Sequence, residues 1–546
     1  MSDERLRELE RQLSLDPTSP ELVAALLEER RRLGLPLDDR LYEQRVFPAC
    51  RVTLPPHGEL RFRRPESRRR ELREGSPDAP LEVEVPAHSE LSVALWSPPD
   101  RIGQDLERVL DGPRPSGLEL STLPRDCLAR VAAKGGVEAL SLGLVGRKPY
   151  DLSPLDELPR LRELRFKDRT QLVAEDLAEL RLERLERLEL RPWPKLPART
   201  WEWLEQLPSL RALGGWDFST PVELLRQRLP RIAGLERLNL CDVEGVNDAV
   251  LEALGDLSGL RDLELDVTAE LSMRSLCEAF AGWPRLERFA CSLTLDDRTL
   301  GALPPGLRAL SAYFGGASDA GLESLARLPL RELDLSFPYH LSANALGRAL
   351  RAWPELRALE LFDVDAATSA ALSGLPASLR ELNLSSVPAE DLGVLAHLDR
   401  LESLTLWQLE RLDLAGLDAL THLDRLYRLD LERFEFDPLP LVGELRALVE
   451  LRLANLRCEG LGPLRGLNLL EVLHLRDLPE LDLAPLRGQP SLRELQLTSC
   501  DVMTEDLLDL IPTLPRLRSL TLYREPEADE ATLQAAFPAL SVAVYP

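Results

Sequence analysis

Aromatic residues make up only 5% of this 546-residue chain, against 44% hydrophobic residues, so its apolar mass is aliphatic. Cysteine is sparse and unpatterned. The seven are Cys50, Cys127, Cys241, Cys277, Cys291, Cys458 and Cys500, odd in number and with no C-x-x-C pair. That excludes a disulfide framework or a zinc site and leaves reduced thiols. Basic charge is in deficit, with 67 Lys and Arg against 92 Asp and Glu and a net charge of -25. Nucleic acid and anionic membranes need a basic surface, so both are excluded as partners, and a protein or peptide with a basic face is favoured. No apolar run reaches the roughly 18 residues that span a bilayer. The start, Met1-Ser2-Asp3-Glu4-Arg5, lacks the basic-then-apolar pattern of a secretory leader. A cytoplasmic protein is expected.

Catalytic signatures are missing too. There is no G-x-G-x-x-G, P-loop, H-E-x-x-H or EF-hand pattern. The nearest approach to a serine elbow, Gly316-Ala317-Ser318-Asp319-Ala320, lacks its final glycine and reads as a helix start. The six histidines are dispersed. The expectation is no enzyme, no cofactor and no metal.

What the chain has is a repeat. A length of 546 residues is too great for one hydrophobic core, and from residue 137 the pattern L-x-x-L-x-L recurs. It stands at Leu235-Glu-Arg-Leu238-Asn-Leu240, Leu260-Arg-Asp-Leu263-Glu-Leu265, Leu330-Arg-Glu-Leu333-Asp-Leu335 and Leu379-Arg-Glu-Leu382-Asn-Leu384, among others. About 18 units follow one another at spacings of roughly 21–26 residues. The x-L-x-L core alternates as a strand does. One unit cannot bury its leucines alone, but stacked units form a continuous core. Between the strands, Ser318-Asp-Ala-Gly-Leu322 and the segments from Asn247 and Ser342 start helices for the outer side. The units from Leu426, Leu448 and Leu470 are 22 residues long and hold Pro and Gly in their returns, which predicts shorter 3₁₀-like turns there.

On these motifs, residues 137–546 resemble bacterial cytoplasmic leucine-rich repeat proteins with T-D-A-G-L type convex helices. The resemblance implies an α/β solenoid, a curved horseshoe with a parallel inner sheet. One departure stands out. Where the family often has Asn or Cys after the strand, this chain has Val243, Thr268, Val364, Val387, Leu409, Phe434, Leu456, Leu478 and Cys500. The turns are therefore expected to rest on apolar packing.

Upstream, residues 1–37 read as a helical hairpin around Asp16-Pro-Thr-Ser-Pro20. Residues 38–100 read as a small β unit. There Val52-Thr-Leu-Pro-Pro-His57-Gly-Glu-Leu60-Arg-Phe62 is echoed by Val83-Glu-Val-Pro-Ala-His88-Ser-Glu-Leu91-Ser-Val93. Each copy reads as strand, tight turn, strand, and the Arg-rich 61–73 between them as a solvated loop. Residues 101–136 are expected to link to the repeats and cap them.

The repeat aims its x positions off the inner sheet. The x before the second Leu alternates in charge, as in Arg237, Asp262 and Arg288, which cross-strand pairing explains. The x between the second and third Leu carries Glu264, Asp334 and Glu360, and Asp334 beside Glu360 sets like charges on adjacent strands. Around the strand ends stand Trp216, Asp242, Asp266, Tyr313, Phe314, Phe337, Phe362, Asp363 and Trp407. Aromatics rimmed by acids in an aromatic-poor chain predict a partner-binding patch on the concave face. Arg433, Arg452, Arg476 and Arg524 make that face more basic towards the C-terminus. Function is expected to be protein recognition or scaffolding. The alternative is a subunit whose residues 1–136 bind while the solenoid acts as spacer.

Overall fold

In the computed structural model, the described residues are 50–54, 58–63, 70–74, 81–85, 90–95, 117–123, 127–134, 137–144, 151–166, 177–190, 196–215, 222–241, 246–265, 271–409, 411–478, 481–525, 527–537, 540–545 and a few within 104–109. The helical hairpin expected over residues 1–37, and His57 and His88, lie outside them. The chain divides into two compact units, Met1–Trp216 and Asp217–Pro546.

The first unit opens with β1 (Cys50–Leu54), β2 (Gly58–Arg63), β3 (Arg70–Glu74), β4 (Leu81–Val85) and β5 (Glu90–Leu95). Each echoed segment supplies two strands, as expected, but they do not pair within a copy. β1 pairs antiparallel with β4, and β2 with β5. The echo itself favours this arrangement, because equal patterns set Leu60 opposite Val93, both buried, and matched apolar pairs stabilise a ladder. The Arg-rich segment is not all loop, since β3 pairs antiparallel with β2. A parallel ladder then runs from β5 through β6 (Gly117–Leu123), β7 (Ala139–Leu144), β8 (Glu163–Phe166), β9 (Arg187–Leu190) and β10 (Ala212–Gly215). It begins upstream of Val137, with β5 in the segment read as the small β unit and β6 in the segment read as linker and cap.

The second unit stacks β11 (Arg237–Leu240), β12 (Asp262–Leu265), β13 (Arg288–Asp296), β14 (Ala309–Gly316), β15 (Glu332–Ser336), β16 (Ala358–Phe362) and β17 (Glu381–Ser385). It continues through β18 (Ser403–Trp407), β19 (Arg428–Phe434), β20 (Glu450–Leu456), β21 (Val472–Arg476), β22 (Glu494–Thr498), β23 (Ser519–Tyr523) and β24 (Ser541–Tyr545). Each strand pairs in parallel with its successor, in most pairs leucine on leucine, as Leu333 on Leu359 and Leu382 on Leu404. These leucines are buried, each contributing about 1.5–3 kcal/mol. A repeated strand, a parallel ladder and a leucine core make the architecture a leucine-rich repeat solenoid.

The returns follow the sequence. Asn247, Ser318 and Ser342 cap the helices Asp248–Leu254, Asp319–Leu325 and Ala343–Ala352 with their side chains. The aspartate that follows the cap has a second role. Asp248, Asp297 and Asp319 accept the backbone N–H of Ser272, Ser318 and Ser342 in the next repeat at 2.7–2.8 Å. Neighbouring helices are thereby tied start to start. The shorter returns hold 3₁₀ turns at Gly462–Gly466 and Ala484–Leu486, while the return at Leu439–Val442 is a single α turn.

Strand ends carry no asparagine ladder. Val364, Val387, Leu409, Phe434, Leu456 and Leu478 are all buried, so apolar packing holds the turns. The residue one past each strand, or near its end, is left-handed at Phe337, Asp363, Ser386, Gln408, Arg433, Asn455, Asp477, Ser499 and Arg524, with φ between 50° and 61°. There the backbone turns its N–H to the next repeat. Phe337 donates to the carbonyl of Phe362, Asp363 to Ser385, Ser386 to Trp407 and Gln408 to Glu432, at 2.8–3.0 Å.

Candidate functional site

The open face of β14–β19, turned away from the leucine core, carries two parallel columns. The strand register sets Ser311, Asp334, Glu360, Asn383, Thr405 and Asp430 side by side. Two residues further along each strand stand Tyr313, Ser336, Phe362, Ser385, Trp407 and Glu432. This second column alternates ring and serine from Tyr313 to Trp407, and both serines are buried.

The alternation lets the rings close over the gaps. The left-handed turn after Ser336 brings Phe337 into the row, edge-on to Tyr313 with centroids 5.5 Å apart and edge-on to Phe362 at 4.9 Å. Across Ser385, Phe362 stacks on Trp407 at 5.7 Å and 10°. Arg433 ends the row, its guanidinium 5.3 Å from the Trp407 ring centre, a cation–π contact. Tyr339 flanks Phe337 at 6.3 Å. Phe337, Phe362 and Trp407 are half-buried, while Tyr313 is 41% and Tyr339 54% exposed. A bulky residue in the left-handed region is rare. Most of the matching positions hold Asp, Ser, Gln or Asn.

Serine hydroxyls bind the two columns together. Ser311 and Ser336 donate to the two carboxylate oxygens of Asp334, at 2.8 and 2.7 Å. Ser385 donates to Asn383 at 2.7 Å. Asp334 is thus hydrogen-bonded, not bare, yet it still faces Glu360 directly. Burial, and then the Asp334 charge, push the Glu360 carboxyl above its ordinary range. Burial likewise raises Asp430. The column borders a hollow of about 360 Å³, lined in part by Arg288, Glu332, Asp334, Glu360, Asn383 and Arg428. Further along the unit, Glu264 accepts from the Asn239 amide at 2.5 Å.

Of the sequence-predicted residues, the structure gathers Tyr313, Asp334, Phe337, Glu360, Phe362, Asp363 and Trp407 on neighbouring strands, with Glu264 two strands before Tyr313. Phe314 is a correction: it is 1% exposed. β14 runs on to Gly316, and its alternation sends Phe314 into the core with Leu310 and Ala312. Trp216, Asp242 and Asp266 lie outside the described residues. The basic C-terminal face is also corrected in part. Arg452 is held by Glu450 and Arg476 by Glu432, so these charges are neutralised, and His474 lies 3.1 Å from Glu494. The sequence reading missed Tyr339 and the buried serines. The ring–serine alternation at one repeat position was visible in the sequence, but not the burial of the serines.

Burial pushes the Cys291 thiol up to about 12 and the Cys500 thiol up to about 11, so neither is activated as a nucleophile. Among the described residues no cluster of His, Cys, Asp or Glu could hold a metal ion, and no helix is long and apolar enough to cross a membrane. What the face offers is anchor area and charge.

No protein-family model matches the chain, and no curated protein matches it. Among solved structures it is similar to a chain of the Rad7 and Elc1 complex in yeast, at 16% identity and a TM-score of 0.36, over 70% of this chain and 80% of that one. It is also similar to an internalin (inlF) from Listeria monocytogenes str. 4b F2365, at 17% identity and a TM-score of 0.30, over 68% and 88%. An internalin C2 (inlC2) from the same organism aligns at 20% identity and a TM-score of 0.24, over 33% and 83%.

Proposed function

We propose that this chain is a non-catalytic recognition module that holds a protein partner on the open face of β12–β19. The observation that carries the reading is the ring row Tyr313–Phe337–Phe362–Trp407, half-buried from Phe337 on, beside the like-charged pair Asp334 and Glu360. Half-buried rings are anchor residues, and a few of them usually carry most of the binding energy of an interface. Adjacent carboxylates cost stability in the free protein, and a basic partner would offset that cost. Nucleic acid is a poor fit for a chain of net charge -25. A cytoplasmic setting is supported by Cys277, Cys291, Cys458 and Cys500, which form no disulfide among the described residues.

Pull-down from the native host with parent and variant chains supplies the partner, and binding kinetics at two salt concentrations test the site. Replacing Phe337 and Phe362 by Ala is expected to weaken binding by at least about 2 kcal/mol. Neutralising Glu264 and Asp334 is expected to slow association and flatten its salt dependence. If all four changes leave affinity and rates untouched while deletion of residues 1–136 abolishes binding, recognition belongs to the N-terminal β unit.

A further inference from the structure

Resting on that reading, we infer that the ring row takes an amphipathic α-helix, apolar along one edge and rich in Lys or Arg on the flank over Asp334 and Glu360. The first ground is spacing. The centroid steps Tyr313–Phe337–Phe362–Trp407 are 5.5, 4.9 and 5.7 Å. An α-helix repeats its surface every turn, about 5.4 Å along the axis. An extended peptide repeats a face only every second residue, roughly 6.8 Å, and drifts out of step with the rings within three intervals. A helix lying across the strands sets one apolar residue per turn into the gaps between rings and stays in step.

The second ground is the backbone. The strands beneath the row have their N–H and C=O groups engaged with one another, and even the turn amides of Phe337, Asp363 and Ser386 are donated to the next repeat. An extended chain laid on these rings would leave its own backbone polar groups facing aromatic carbon, which is costly. A helix satisfies those groups internally, so its side chains alone have to match the surface.

The third ground is charge. The acid column lies two residues back along every strand, roughly 7 Å from the ring row. A helix with apolar residues on the rings carries its flanking residues over that column, where Lys or Arg stems reach down beside the hollow. Arg288 and Arg428, which also line the hollow, are drawn aside: Arg288 bonds Glu332 at 2.6 Å and Arg428 lies 3.6 Å from Glu450. Among the described residues, Asp334 is hydrogen-bonded by serine hydroxyls and Glu360 by the Asn383 amide. Among the described residues neither carboxylate is paired with a cation, and the incoming helix supplies one.

The test uses the full chain and two Leu/Lys peptides of about 14 residues and one composition. One has Leu at i, i+3, i+4 and i+7, and the other alternates strictly. Titration calorimetry near physiological salt is expected to show the helical-period peptide binding at least about ten-fold tighter than the alternating one. Circular dichroism of the mixture is expected to gain helical signal. Phe337→Ala with Phe362→Ala, and separately Asp334→Asn with Glu360→Gln, should each weaken the helical peptide by about ten-fold or more. Glu252→Gln with Glu530→Gln, on exposed helices away from the row, should not. The acid-pair variant keeps every ring, so it stands as the test if the ring variant melts early. If the alternating peptide binds as tightly and still depends on the rings, the helix is wrong and the open-face reading survives. Binding that ignores both site variants, or no binding by either peptide, overturns the inference, and the first of these counts against the open-face reading as well.

Discussion

Glu360 and Phe337 are both placed against ordinary stability rules, and each gives a measurable signature. Glu360 is half-buried beside Asp334, and its carboxyl titrates above the ordinary range because of burial first and the neighbouring charge second. A raised carboxylate pKa means that the ionised form costs stability above that pKa, and that the cost fades as pH falls through it. Glu360→Gln is therefore expected to denature no earlier than the parent at neutral pH, with any advantage shrinking as the solution is acidified. A variant less stable than the parent at neutral pH would show that the charge is compensated. Phe337 sits at φ 56°, where an ordinary L-residue pays roughly 1–2 kcal/mol and Asn is better tolerated. Both Phe337→Asn and Phe337→Ala lose the ring contacts, so the Asn variant should be the more stable by about 0.5–1 kcal/mol in urea denaturation. Equal stabilities would mean that the turn relaxes once the ring is gone.

At the scale of elements, the helices are fixed by their first residues. The Ser342 hydroxyl caps its own helix at Ala345 N and donates to Asp319 of the preceding repeat at 2.7 Å. Ser342→Ala is expected to cost about 1 kcal/mol, with faster hydrogen exchange at the Ala345 amide as the local readout. The Asp319 carboxyl is held below its usual range by the Ser342 backbone N–H and then by its hydroxyl. Its share of the stability is present above the ordinary carboxylate pKa and is lost as pH falls through the depressed one, so the deficit of the variant should narrow in acid. These caps were legible in the sequence because Ser, Asn and Asp act on the backbone two or three residues away. The pairing of β1 with β4 and β2 with β5 was not. A local pattern says that a segment is extended but not which segment lies beside it. Phe314 was misplaced for a related reason. Where a strand runs past its motif, alternation continues to decide which side a residue faces, and β14 runs to Gly316.

For the whole chain, the leucine period carried the fold, since a side chain that is buried in every repeat leaves its mark in every repeat. The candidate face is used once and leaves no period of its own, so scarce rings and clustered acids at outward repeat positions drew attention to it. The ring row could be found because rings are scarce in this chain. The buried serines that let it close could not be separated from ordinary surface serines without the register that sets Ser336 and Ser385 between rings.

Arg476 reaches past β20 to meet Glu432 at 2.5 Å, with Ala454 lying between them in the register. The repeat that contributes Ala454 is thus already spanned by its neighbours, which makes it a removable part. The units from Leu426, Leu448 and Leu470 share a 22-residue length. Deleting residues 448–469 would therefore splice β19 to β21 with leucines still on leucines and Arg476 directly opposite Glu432. The shortened chain is expected to fold, with the circular dichroism shape of the parent, and to keep its partner affinity, because the ring row ends at Arg433. Failure to fold would mean that the repeats differ in more than sequence. Success would mean that the reach of this protein can be lengthened or shortened by splicing without redesigning what it holds.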